Sequence, residues 1–155
     1  MQYRLSCGLA DARYAQFYDA ARLDDADRQR VRQTPALLHG TGTPHNDSME
    51  SLAIAQVFGN HTPCTSTKPS TGHTLGAAGA IEAAFLWGII SRQDNPTGKL
   101  PPQLNSSPRD SRLPPIGLTN QHSHWQHQRR IGASSSFAFG GSNAVLIIGE
   151  SVKAG

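Results

Sequence analysis

From Leu75 to Ile90 almost every residue is apolar or small, and a single carboxylate, Glu82, interrupts the run. A helix that is greasy on all sides belongs inside a protein core or a membrane. This run is shorter than the roughly 18 to 20 residues a membrane span needs, and Glu82 lies in its middle. The expectation is a buried helix in a soluble protein with no membrane span. An isolated charge in an interior is costly, so Glu82 needs a partner. Lys68, just ahead of the run, is the cation placed to supply it. His73 falls at the expected helix start, where the partial positive charge of the terminus favours a neutral imidazole.

The chain is long enough for one domain with its own core. Its 14 Lys and Arg against 11 Asp and Glu give only a slight basic bias. Arg28, Arg30 and Arg32 alternate with other residues, and Arg129-Arg130 stands alone. A nucleic-acid reader would show a denser patch, so no nucleic-acid partner is expected. Cys7 and Cys64 form neither a disulfide framework nor a metal-ligand spacing. Asp11, Arg13, Asp19 and Arg22 break any apolar run near the start, so no signal peptide is expected and the cytoplasm is the default compartment.

Leu9 to Val31 reads as helix, with Leu9, Tyr14, Phe17, Tyr18, Ala21 and Leu23 roughly on one side. Ala36-Leu37-Leu38 then makes a short apolar strand. It runs into His39-Gly40-Thr41-Gly42-Thr43-Pro44, a layout typical of a functional loop at a strand end. Asp47 reads as an N-cap with Glu50 three residues on, a capping-box variant. It opens a short amphipathic helix carrying Met49, Leu52, Ala53, Ile54, Val57 and Phe58. Pro63 to Thr67 is extended. Six prolines between Asp94 and Pro115 predict an ordered, irregular surface loop. Ser134 to Asn143 predicts a strand and a glycine turn, and the apolar Ala144 to Ile148 a strand inside a sheet.

Two histidines, His39 and His73, stand in Gly/Thr-rich contexts at the edges of buried elements. Neutral imidazoles converging on one point could donate hydrogen bonds to an oxyanion or enolate, or move a proton. Neither would transfer an acyl group without a Cys or Ser nucleophile. His122, His124 and His127 offer three imidazoles to zinc, but no Cys or acid completes a set. Gly72, Gly76 and Gly79 could present backbone N–H groups to a phosphate, yet their spacing matches neither a P-loop nor a dinucleotide fingerprint. A Gly-x-Ser-x-Gly elbow is absent. Phe139-Gly140-Gly141-Ser142-Asn143 reads either as a hairpin turn or as an aromatic swinging on a glycine hinge.

Taken together, three segments resemble the motifs of the β-ketoacyl-acyl carrier protein synthases, condensing enzymes of the thiolase fold. They are His39-Gly40-Thr41-Gly42-Thr43-Pro44, Lys68-Pro69-Ser70-Thr71-Gly72-His73 with Leu75-Gly76-Ala77-Ala78-Gly79, and Ser136-Phe137-Ala138-Phe139-Gly140-Gly141-Ser142-Asn143. Order and spacing agree, with Ala138 where glycine is usual, and the likeness covers about residues 36 to 149. It implies an α/β chain, the C-terminal half of a thiolase-like fold: a mixed sheet with a buried helix packed on it. Residues 36–155 would be the synthase C-terminal domain, and residues 1–35 a poorly matching helical segment.

The implied activity is an acyltransferase reaction of fatty acid or polyketide-type biosynthesis, the decarboxylative Claisen condensation of a malonyl thioester with an acyl thioester. By the resemblance His39 and His73 are the catalytic pair, with Lys68 and Glu82 holding the electrostatics of the site. Thr41 and Thr43 would bind the phosphopantetheine arm of the acyl carrier protein, and Phe139, Gly140 and Gly141 would form a gate. No bound cofactor or metal is implied. The family's nucleophilic cysteine lies far upstream of the first histidine in an Ala-Cys-Ser-type motif, whereas Cys7 sits close to His39 within Ser6-Cys7-Gly8-Leu9. The chain is therefore expected to lack the nucleophile, and to be inactive alone in condensation. It would need an N-terminal synthase half or a partner synthase subunit to cover its apolar helix, within an enzyme that is a dimer when complete. A non-catalytic subunit binding a synthase or carrier protein, and a malonyl-thioester decarboxylase, are the alternatives.

Overall fold

The computed structural model describes residues 6–9, 34–104, 108–138 and 142–151. The elements are β1 (Ser6–Leu9), β2 (Ala36–Leu37), α1 (Pro44–Val57), β3 (Pro63–Thr65), α2 (Lys68–Thr71), a 3-10 turn (Leu75–Ala77), α3 (Ala78–Ile90), β4 (Gly117–Leu118), β5 (Ile131–Phe137) and β6 (Asn143–Gly149). The strands form one sheet in the order β1-β6-β5-β2-β3-β4. β2 runs parallel to β3 and β5, and β3 parallel to β4. β6 runs antiparallel to β5 and β1. The sheet is therefore mixed, as the resemblance implied, and the apolar β6 is paired on both sides.

Leu9 belongs to β1, where it pairs with Ala144 of β6, and not to a helix. Local helical periodicity yields there to the ladder bonds of a neighbouring strand. The rest of the expected helix, residues 10–33, lies outside the described residues.

Alternation along the strands sends successive side chains to opposite faces, and each face receives a helix. On one face Ala36, Leu38, Cys64, Ile131, Ala133, Val145 and Ile147 pack with Ala53, Ile54 and Phe58 of the α1 region. On the other, Leu37 and Ile148 pack with Leu86 and Ile90 of α3. Gly132 permits that second contact. A Cβ placed there would come within 2.3 Å of Leu86 Cδ1.

The buried residues of α3 are Ala78, Glu82, Leu86 and Ile90, one every fourth position. The helix is buried on the sheet as expected, and part of its apolar surface is exposed, as expected of an apolar helix that needs further cover: Phe85 is 42% and Trp87 43% exposed, and Leu75 in the preceding turn is 71% exposed. One sheet covers one stripe of a helix. The C-terminal carbonyls of α3 are closed by side chains. Asn95 Nδ2 and Trp125 Nε1 donate to Ile89 O at 2.9 and 3.2 Å, and Arg130 Nη1 donates to Ile90 O at 3.4 Å. The polar, histidine-rich segment thus contributes Trp125 and Arg130 to a helix end. No described helix is long and apolar enough to cross a membrane.

The described part of the proline-rich stretch is irregular, as expected, and includes the buried Leu100. Its Gln103 Oε1 accepts from Ser66 N at 2.6 Å, tying the loop to the end of β3.

Candidate active site

β2 and β3 are parallel neighbours, so the loops that leave them, one carrying His39 and the other Lys68 and His73, emerge at the same sheet end. The His39 and His73 rings meet edge to face with centroids 5.5 Å apart. Phe137, at the end of β5, meets His39 in the same way at 5.7 Å. His39 is buried and His73 exposed, so the pair has one open side. Burial, the Lys68 charge and His73 together pull the His39 imidazole down to about 4, which keeps it neutral near pH 7. Its Nδ1 is buried with no hydrogen-bond partner among the described residues.

Lys68 opens α2, and its Nζ lies 2.5 Å from Glu82 Oε1 on α3. Both side chains are buried, so the partner the sequence demanded is present. Burial pushes the Glu82 carboxyl up, opposed by the hydrogen bond and charge of Lys68 and more weakly by His73 and Ser134.

Thr41 Oγ1 and Thr43 Oγ1 stand 3.1 Å apart on the exposed turn after His39. Phe139, Gly140 and Gly141 lie outside the described residues. A cavity of about 550 Å³ opens along the same turn, bordered by Gly40, Gly42, Ser66 and Pro69, with neither imidazole in its wall.

The start of α1 differs from the expected capping box at Asp47 and Glu50. α1 begins at Pro44 after Thr43, so Asp47 lies inside its first turn and is not an N-cap. Its Oδ1 instead accepts from Gly42 N at 3.3 Å. Glu50 makes no capping box and is 2% exposed. Its Oε1 accepts from His39 N at 2.8 Å and from Ser135 Oγ at 2.6 Å, and its Oε2 accepts from Gly40 N at 2.8 Å. Burial raises the Glu50 carboxyl, opposed by Ser135, Gly40, His39 and Lys68. A signal existed in the sequence: Glu50 lies four residues before Ile54, on the apolar stripe of α1. Ser135 of β5 donates to Glu50, while its neighbour Ser134 lies on the Glu82 side of the sheet, because neighbours on a strand face opposite ways.

The family described as beta-ketoacyl synthase, C-terminal domain, matches residues 17–107, more than half of the chain. The chain belongs to the β-ketoacyl synthases. It is 35% identical over 111 residues to 3-oxoacyl-[acyl-carrier-protein] synthase 1 of Escherichia coli strain K12, a match covering 71% of this chain and 26% of that protein. Among solved structures it is similar to the ketosynthase ApeO in complex with its chain length factor ApeC from Xenorhabdus doucetiae. That match has a TM-score of 0.73 and 42% identity over 88% of this chain and 32% of that one. It is also similar to the ishigamide ketosynthase/chain length factor, with a TM-score of 0.73 and 31% identity over 97% of this chain and 37% of that one. The chain thus spans between 26% and 37% of the length of these relatives.

Cys64 of this synthase chain is fully buried, and burial together with Glu50 pushes its thiol up to about 12. Its Sγ points to Thr62 O at 3.2 Å. A thiol held protonated in a core is a packing residue and not a nucleophile.

Proposed function

We propose that the chain supplies the two-histidine half of a decarboxylative condensing site acting on malonyl thioesters in fatty acid or polyketide-type biosynthesis. The observation that carries this reading is the His39–His73 pair, 5.5 Å apart and open on one side. A thioester oxygen entering from that side would take hydrogen bonds from both rings. As the C2–carboxylate bond of the malonyl group breaks, CO2 leaves and the electron pair passes into an enolate, whose charge those donors stabilise. The enolate carbon then bonds to the carbonyl carbon of an acyl thioester, and a cysteine thiolate departs. That thiolate comes from an N-terminal synthase half or a partner synthase subunit, since Cys64 is buried and protonated. Lys68 and Glu82 set the field at the pair. The exposed hydroxyls of Thr41 and Thr43 suit the amides of the phosphopantetheine arm of an acyl carrier protein. Phe139, Gly140 and Gly141 are retained as the gate.

The exposed side of α3 at Phe85 is where an N-terminal synthase half or a partner synthase subunit would seat. The ketosynthase and chain length factor pairs among the similar structures support a two-polypeptide arrangement. They also favour a second reading, a non-catalytic partner subunit, against which stands the neutral His39 beside His73.

The test is CO2 release from malonyl-acyl carrier protein by the purified chain, alone and with a cysteine-bearing synthase partner. Release that falls in both His39→Ala and His73→Ala supports the catalytic reading. No release in either setting leaves the non-catalytic subunit as the surviving reading.

A further inference from the structure

We propose that Glu50 is a positioning residue for His39: its buried carboxylate clasps the backbone of residues 39 and 40 and thereby sets where the imidazole stands. This rests on the reading of His39 as the hydrogen-bond donor of the reaction.

The His39 ring receives little support of its own. Nδ1 has no partner among the described residues, and the ring's neighbours are the edges and faces of His73 and Phe137. Its place is therefore inherited from the main chain at residue 39. That main chain leaves β2 and turns at Gly40 with φ +40, and a Cβ at residue 40 would meet Ser66 Cβ and Oγ at 2.7 Å. Two consecutive N–H groups point inward at this turn, and one carboxylate accepts both, at 2.8 Å each. Ser135 Oγ completes the arrangement: it donates to Glu50 Oε1 at 2.6 Å and also accepts from His39 N at 3.2 Å. Glu50 is carried by α1, whose Ile54 one turn on is 1% exposed in the core. The clasp thus connects the histidine to a helix and to the central strand β5.

The chemistry selects a carboxylate. Each oxygen faces a backbone N–H, which can only donate, and Ser135 Oγ adds a further donor to Oε1, a pattern an ionised carboxylate satisfies. A glutamine of the same shape would turn an N–H donor toward one of the two backbone N–H groups. A buried charge is expensive to keep, and here its Coulombic support comes from Lys68, the cation already paired with Glu82. Glu50 and the histidine pair therefore share one electrostatic neighbourhood.

The test compares Glu50→Gln with the unaltered full chain by amide hydrogen exchange and by CO2 release from malonyl-acyl carrier protein in the presence of the synthase partner. Exchange at the His39 and Gly40 amides should rise by about tenfold, while amides of β5 and β6 keep their protection. Release of CO2 should fall on the order of a hundredfold, with the KM for the malonyl substrate little changed. Unchanged exchange at residues 39 and 40 overturns the clasp. Faster exchange with undiminished CO2 release overturns the positioning role. If the unaltered protein releases no CO2, the catalytic reading fails while the exchange arm still decides whether Glu50 holds the turn. If Glu50→Gln does not fold, Ser135→Ala takes its place. A rise of about three- to tenfold confined to the same two amides supports the clasp, and no rise overturns it.

Discussion

Lys68 Nζ and Glu82 Oε1 lie 2.5 Å apart with both side chains buried, joining the short helix after β3 to the apolar helix on the sheet. Each ion is tolerated in the interior because of the other. Removing one leaves the other charged without a partner, which is worse than removing both.

Glu82→Ala should therefore destabilise the chain by about 3 to 5 kcal/mol in chemical denaturation. The double variant Lys68→Met/Glu82→Leu should recover much of that loss. A single-variant effect below about 0.5 kcal/mol would be that of an exposed site and would contradict a buried pair.

His39 has a distinct acid signature. Its folded value, about 4, lies below its ordinary value of 6.5. Between these values the unfolded chain binds a proton that the folded chain does not, so stability falls as pH drops through this window. The stabilisation is fully present above pH 6.5. Stability curves of the parent and His39→Gln should diverge over this range, with the variant losing less on acidification. Parallel curves, or an imidazole that titrates near 6.5 by NMR, would refute the assignment.

Cys64 should be silent toward alkylation in the folded chain and reactive after denaturation, because burial holds its thiol up at about 12. Peptide mapping after brief iodoacetamide treatment at pH 8 reads this residue separately from Cys7. Rapid labelling of Cys64 in the native protein would place it outside the core.

Arg130 should matter more than its place in a polar segment suggests. It is 4% exposed, and its Nη1 donates to Asn95 O at 2.6 Å and to Ile90 O at the end of α3. Arg130→Met would strand those carbonyls and remove a cation from a helix C-terminus, a loss of about 1 to 3 kcal/mol by thermal or chemical denaturation. A change within about 0.5 kcal/mol would assign that capping to Asn95 and Trp125 alone.

The sequence by itself determined the motifs, the demand for a partner to Glu82, the strand–loop pattern around His39 and the paired interior strand near the end. Each rests on local chemistry: a carboxylate in a greasy run, glycines and threonines after a short strand, an unbroken apolar run. Tertiary structure decided the rest. Whether the His39 and His73 rings meet depends on β2 and β3 being parallel neighbours, which no local pattern encodes. How much of α3 is covered depends on a sheet that reaches only one of its sides. Glu50 shows the difference most sharply: its spacing from Asp47 mimics a helix cap, and only the approach of the His39 turn and β5 made it a buried acceptor. Side-chain periodicity says which face of an element turns inward, but the partner waiting there is set by packing between distant segments.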